Sequence, residues 1–215
     1  MRKTFLAITL FLAFSKAALA QFGNCTASEM RTYVDSATGN TITMLTDTMK
    51  NDRFLYQTDP MWTADGKYLL FRSSSRGNDK EVESTLPNGE KRKWTPTQIY
   101  FIEMATGKII QATEGPNLGS AFLANKTNRM FVSRKEKENW NMYVMDLNKF
   151  FADVKQGKVG KPSAYETFIG TFPTEMGRPG GYAVDCNDDY AYITVEREGT
   201  EEEKERMMKN AFLPA

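Results

Sequence analysis

The sequence contains no histidine. Neutral imidazole is the commonest side-chain metal ligand and the one side chain whose unperturbed pKa lies close to neutrality. A histidine metal centre and a histidine general base are therefore both excluded from these 215 residues. Charge of one sign is also missing: 28 Lys and Arg face 27 Asp and Glu, a formal net charge of +1, which argues against a general nucleic-acid binder held by phosphate contacts. Cysteine is scarce. Cys25 and Cys186 permit one disulfide in an exported chain but do not demand it, and Cys25 sits so near the amino terminus that two unpaired thiols are expected. There is no G-x-S-x-G elbow and no phosphate-binding glycine loop. Closely spaced Cys and carboxylates of metal-site pattern are lacking too. Asp185 with Asp188 and Asp189 offers oxygen ligands without the spacing of a calcium loop, and reads as a turn.

Long apolar runs are absent except at the start. MRKTFLAITLFLAFSKAALAQ has basic Arg2 and Lys3, an apolar stretch from Phe5 to Phe14 and Ala18-Leu19-Ala20 before Gln21, the pattern of a cleaved secretory signal peptide over 1–20. The apolar run is broken by Ser15-Lys16, short of the ~20 residues that a spanning helix needs. The sequence thus predicts a periplasmic or secreted protein with no membrane segment after cleavage. What remains is long enough for one domain with a substantial core.

What is present is strand and turn. In WTADGKYLLFRS, Asp65-Gly66 is a turn dipeptide and Tyr68–Phe71 a buried-strand run. From Met61 the order is a strand at 61–63, the Asp65-Gly66-Lys67 turn, a strand at 68–73, a long charged loop (Gly77–Thr97) expected to be mobile, a strand at 98–103, the turn Ala105-Thr106-Gly107-Lys108, and a strand at 109–113. A second copy starts at Ala121–Ala124, turns at 125–128, and continues through 130–134 and 141–147 with a return strand. A third begins at Tyr182–Cys186 and runs through 190–196. TYVDSATGNTITMLT (32–46) matches YFIEMATGKIIQATE (100–114), and reads as the outer hairpin of a preceding unit. Repeated four-stranded antiparallel meanders are the signature of a β-propeller. The predicted organisation is a 21–31 amino-terminal segment, incomplete propeller blades over 32–199, and a charged tail over 200–215 with helical character. Too few blades are present for closure, so self-association through an open blade edge is expected.

The segments YQTDPMWTADGKYLLFRSSSRG and QIYFIEMATGKIIQATEG resemble TolB-like propeller repeats, and among them the oligogalacturonate lyase family. That resemblance implies an all-β fold, the amino-terminal part of a seven-bladed propeller, and an ancestral activity of β-elimination on pectin-derived oligogalacturonides, with a divalent metal such as manganese in the full-length family. Within these residues it implies no metal ligand and no cofactor. Where the family pattern leads one to expect histidine before proline, Asp59 stands. A non-catalytic TolB-like module that binds protein or acidic oligosaccharide is the alternative.

β-Elimination of a uronide needs its carboxylate neutralised, its C5 proton removed and its leaving oxygen assisted. Arginine suits the first task, because its planar fork takes a carboxylate bidentately. Loops expected on one face carry Arg72, Arg76, Asn117, Arg134, Lys135, Arg178 and Arg197. Arg72 and Arg134 are read as equivalent strand exits, and with Arg178, Gln57 and Asp59 they form the expected subsite for an acidic oligosaccharide. For any one arginine the commoner role is a solvated strand end or a partner of a nearby glutamate. Trp94, Trp140 and Tyr100 are candidates to stack on sugar faces, although aromatics at strand ends more often pack between sheets.

Overall fold

The computed structural model describes residues 22–77, 80–85, 89–172 and 178–196. The signal peptide expected over 1–20, Arg197 and the tail expected over 200–215 lie outside the described residues. The fold is all-β, with antiparallel pairing throughout the described residues and one α-helix. No helix among them is long and apolar enough to cross a membrane.

Strands are numbered along the chain. The first sheet contains β1 (Cys25–Thr26), β4 (Asp52–Arg53), β5 (Tyr68–Ser73), β8 (Gln98–Glu103) and β9 (Ile109–Gln111) in the order β1-β9-β8-β5-β4. The expected meander is present, with two differences. The innermost strand expected at 61–63 is reduced to a single bridge, Trp62 opposite Leu69, and pairing with the far end of β5 is supplied by β4 instead. The chain leaves this edge between them, because Asp59-Pro60 favours a turn and proline offers no N–H to a ladder. At the opposite edge β1 adds a fifth strand against β9.

The second sheet contains β10 (Leu118–Leu123), β11 (Arg129–Glu136), β12 (Asn139–Asp146) and β13 (Glu166–Phe172) in sequential order. Between β12 and β13 runs helix α1 (Leu147–Gln156), which the strand-and-turn pattern does not anticipate. Its signals are local: the Asp146 carboxylate caps the Lys149 N–H at 3.1 Å, and Gly157 ends it in the left-handed conformation. The buried Leu147, Phe150 and Phe151 of α1 fill the core between the two sheets. Phe151 stacks on Tyr68 with ring centroids 3.6 Å apart.

Among the described residues three hairpins accompany these sheets: β2 (Arg31–Val34) with β3 (Thr41–Met44), β6 (Val82–Thr85) with β7 (Lys91–Trp94), and β14 (Arg178–Val184) with β15 (Ala191–Glu196). The first is the outer hairpin expected at 32–46, and the last is the expected start of a third repeat. The middle one lies in the long loop expected to be mobile. Its strands carry opposite charge, so Lys91 reaches Glu83 at 2.7 Å across the pair.

Polar clamps tie the turns of successive sheets together. The Asp65 N–H donates to Asn128 Oδ1 at 3.2 Å. At the next turn the buried Asp188 carboxylate accepts the N–H groups of Asn125, Lys126 and Thr127 at 2.6, 2.8 and 2.8 Å, and the Thr127 hydroxyl at 2.8 Å. That is the role of the acidic turn at 185–189. Both cysteines are unpaired and exposed.

Candidate functional site

A cleft of about 420 Å³ opens between the inner strands of the first and second sheets. Arg53 on β4 and Arg72 on β5 line one wall, Leu118, Gly119 and Ala121 of β10 the other, and Trp94 with Thr95 and Thr97 the rim. Arg53 and Arg72 are direct cross-strand partners. Like charges placed opposite one another repel, and among the described residues no acidic side chain lines the cleft. Among the described residues neither arginine forms an ion pair. Arg53 donates from Nε to Asn51 Oδ1 at 3.3 Å, and the Asn51 side chain is itself held by its amide donating to Ser74 Oγ at 2.8 Å. Two cationic forks thus face one opening without an internal counter-ion, beside an indole and several hydroxyls.

The other strand-end arginines are spent differently. Arg134 binds Glu166 through two guanidinium nitrogens, the second at 2.6 Å, and its guanidinium lies over the Tyr143 ring. Arg76, with a nearly buried side chain, grips Glu29 at 2.9 and 2.6 Å and Asp52 at 2.8 Å, over the face of Phe71. Burial alone would lower the Arg76 pKa, but the hydrogen bonds to these carboxylates outweigh it and raise it. The same contact with Arg76 holds the Glu29 carboxyl below its usual range.

The equivalence read between Arg72 and Arg134 does not hold in register. Trp62 opposite Leu69 in the first sheet corresponds to Leu123 opposite Met130 in the second. Counted from these pairs, Arg72 matches Ser133 and Arg134 matches Ser73. A shift of one residue on a strand exchanges its faces, so the two arginines occupy opposite faces in the repeat frame. Gln57 and Asp59 lie in the turn between β4 and Trp62, where the Asp59 N–H closes on the Tyr56 carbonyl at 2.8 Å, and neither lines the cleft. Arg178 opposes Glu196 in the β14–β15 ladder, and its side chain lies outside the described residues. Of the expected subsite residues the cleft therefore gathers Arg72; it also takes in Trp94, one of the expected stacking candidates, and adds Arg53. Arg53 escaped the sequence reading because 52–53 carries no strand signal of its own. Among the described residues no group of three or more Cys, Asp and Glu is placed to hold a metal ion.

No protein-family model and no curated protein matches the chain. Solved structures do share its fold. One is an oligogalacturonate lyase in complex with manganese, at a TM-score of 0.52 and 20% identity, covering 77% of this chain and 35% of that one. Another is an oligogalacturonate lyase from Vibrio parahaemolyticus, at 0.53 and 21%, with the same coverage of 77% and 35%. The repeated sheets thus follow part of a propeller enzyme fold. This chain spans about a third of the length of those structures.

Proposed function

We propose that this chain is the substrate-holding part of a propeller of the oligogalacturonate lyase kind, and that the cleft between its two complete sheets takes a uronide carboxylate. The observation that carries this reading is the directly opposed pair Arg53 and Arg72 in a cleft with no acidic side chain among its described lining residues. A carboxylate between the two forks would relieve their repulsion and gain charge-assisted hydrogen bonds, each worth ~1.5–3 kcal/mol when sheltered from water. Trp94 at the rim offers a flat apolar face for the sugar ring. This arrangement performs the first requirement of uronide β-elimination, carboxylate neutralisation. The remaining two, base and leaving-group assistance, fall to groups other than imidazole in these residues. The 215-residue chain is accordingly read as a binder with little elimination activity of its own. Export through the apolar leader would place it in the periplasm or outside the cell, where pectin fragments are met.

Calorimetric titration tests the reading. Trigalacturonate should bind in low salt and its neutral methyl ester should not. The affinity should fall as salt rises, because the contact is ionic and partly exposed. Equal affinity for acid and ester would refute the assignment.

A further inference from the structure

The charged hairpin β6–β7 ends at the cleft. Trp94, the last residue of β7, lines the opening, and the ladder fixes which side chains share its side. Directly opposed residues of an antiparallel pair point to the same face, and neighbours along a strand alternate. Trp94 opposes Val82 and Arg92 opposes Ser84, whereas Lys93 opposes Glu83 and Lys91 opposes Thr85. One face of the hairpin thus carries Val82, Ser84, Arg92 and Trp94, and the other Glu83, Thr85, Lys91 and Lys93. Val82 and Ser84 are half-buried, while Glu83 and Thr85 are exposed. The face with Trp94 is therefore the one turned toward the body of the protein.

The two faces differ in charge. The outer one holds Lys91 paired with Glu83 at 2.7 Å, with Lys93 beside them. The inner one has a single charged side chain, Arg92, and neither strand places an acid next to it. Arg92 itself is exposed. Two residues of extended chain put it about 7 Å beyond Trp94, on the continuation of the cleft wall. Arg53 and Arg72 stand inside the opening and Trp94 at its rim, with Arg92 farther out on the same side. A single uronide between the inner two arginines leaves the third without an anion.

We propose that Arg92 is a second carboxylate subsite, and that cleft and hairpin together take a run of at least two neighbouring free uronides. One carboxylate lies between Arg53 and Arg72, the sugar passes along Trp94, and a following carboxylate meets the Arg92 fork, which suits it bidentately. This inference rests on the uronide reading of the cleft and adds the acid pattern of its ligand. Lys93 has the same charge one residue away but points to the outer face, so it contributes only to the general field.

Calorimetric titration of galacturonate and of trigalacturonate into the parent, Arg92→Ala and Lys93→Ala tests this. The two variants lose the same charge from adjacent positions, so a field effect would weaken both alike and a contact only one. Arg92→Ala should weaken trigalacturonate about three- to fivefold, the size of an exposed ion pair, and Lys93→Ala less than about twofold. Galacturonate should bind all three proteins equally. In the unaltered chain the Arg92 Nε–H resonance should shift on adding trigalacturonate and stay in place with galacturonate, a readout that does not depend on how a variant folds. Equal losses in the two variants, parent-like binding by Arg92→Ala, an equal loss for galacturonate or an unmoved resonance would overturn the proposal and leave the cleft reading standing. A parent that binds trigalacturonate and its methyl ester alike would remove the cleft reading, and this inference with it.

Discussion

The arginines around Glu29 and Glu166 and the arginines of the cleft share a residue type and a strand-end setting but not a fate. Arg76 and Arg134 are each locked to carboxylates of their own chain, nearly out of water. Arg53 and Arg72 face each other, and among the described residues neither is paired with a carboxylate. A paired guanidinium is part of the fold, and taking it away leaves buried anions behind. An unpaired one in a cleft is free for an anion from outside. Position at the end of a strand does not separate the two cases, whereas the presence of a carboxylate across the sheet does.

The largest expected effect lies on the paired side. Arg76→Ala leaves Glu29 and Asp52 uncompensated and should cost about 3–5 kcal/mol, the cost of breaking a buried ion pair, read from urea unfolding at neutral pH. A loss under ~1 kcal/mol would place Arg76 among ordinary surface pairs. Arg134→Ala should follow at the lower end of the same range, because one carboxylate, Glu166, is orphaned instead of two.

The clamp between the second sheet and β14–β15 comes next. Asp188→Ala removes the buried carboxylate that accepts three part-buried N–H groups and should cost about 1–3 kcal/mol. Burial pushes the Asp188 carboxyl up, but the hydrogen bonds from Asn125, Lys126 and Thr127 outweigh this and hold its pKa low. The Thr63, Lys67 and Asn128 contacts likewise overcome burial at Asp65, whose pKa is lowered to about 2. Groups with depressed folded pKa values contribute stability that is complete above the unfolded value of about 4 and disappears as pH falls through the folded one. Stability should therefore decline between about pH 4 and about 2, with a shallower decline in Asp188→Ala. An unchanged slope would remove Asp188 from the account.

The smallest expected effect on stability is that of Arg72→Ala, within about 0.5 kcal/mol of the parent and on the stabilising side if relief from Arg53 dominates. A loss as large as that of Arg134→Ala would mean that Arg72 is a structural residue after all.

Much of this frame was legible in the residues. Turn dipeptides and Ala-Thr-Gly elements located both complete sheets and the two end hairpins, because a tight turn fixes the register of the strands it joins. Helix α1 was not, because a strand pattern running into Leu147 masks a helix whose signals are one Asp cap and one Gly stop. The phase of the arginines could have been read by counting from the turns: Arg72 lies four residues past Tyr68, and Arg134 five past Arg129. What no count supplies is the partner. Glu166 follows a helix and a turn, and Glu29 and Asp52 come from separate segments, so their approach to arginine is fixed only by tertiary packing.

The central claim is that the cleft arginines, and not the strand-end arginine of the second sheet, hold the anion. It is tested most directly by titrating trigalacturonate into two double variants with the parent as reference. One is Arg53→Ala with Arg72→Ala; the other is Arg134→Met with Glu166→Leu, which exchanges the internal pair for apolar side chains so that no buried charge is left alone. The account predicts that the cleft variant loses at least about tenfold in affinity, or ~1.4 kcal/mol, while the internal variant binds as the parent does. Parent-like binding by the cleft variant, or an equal loss in both, would contradict it.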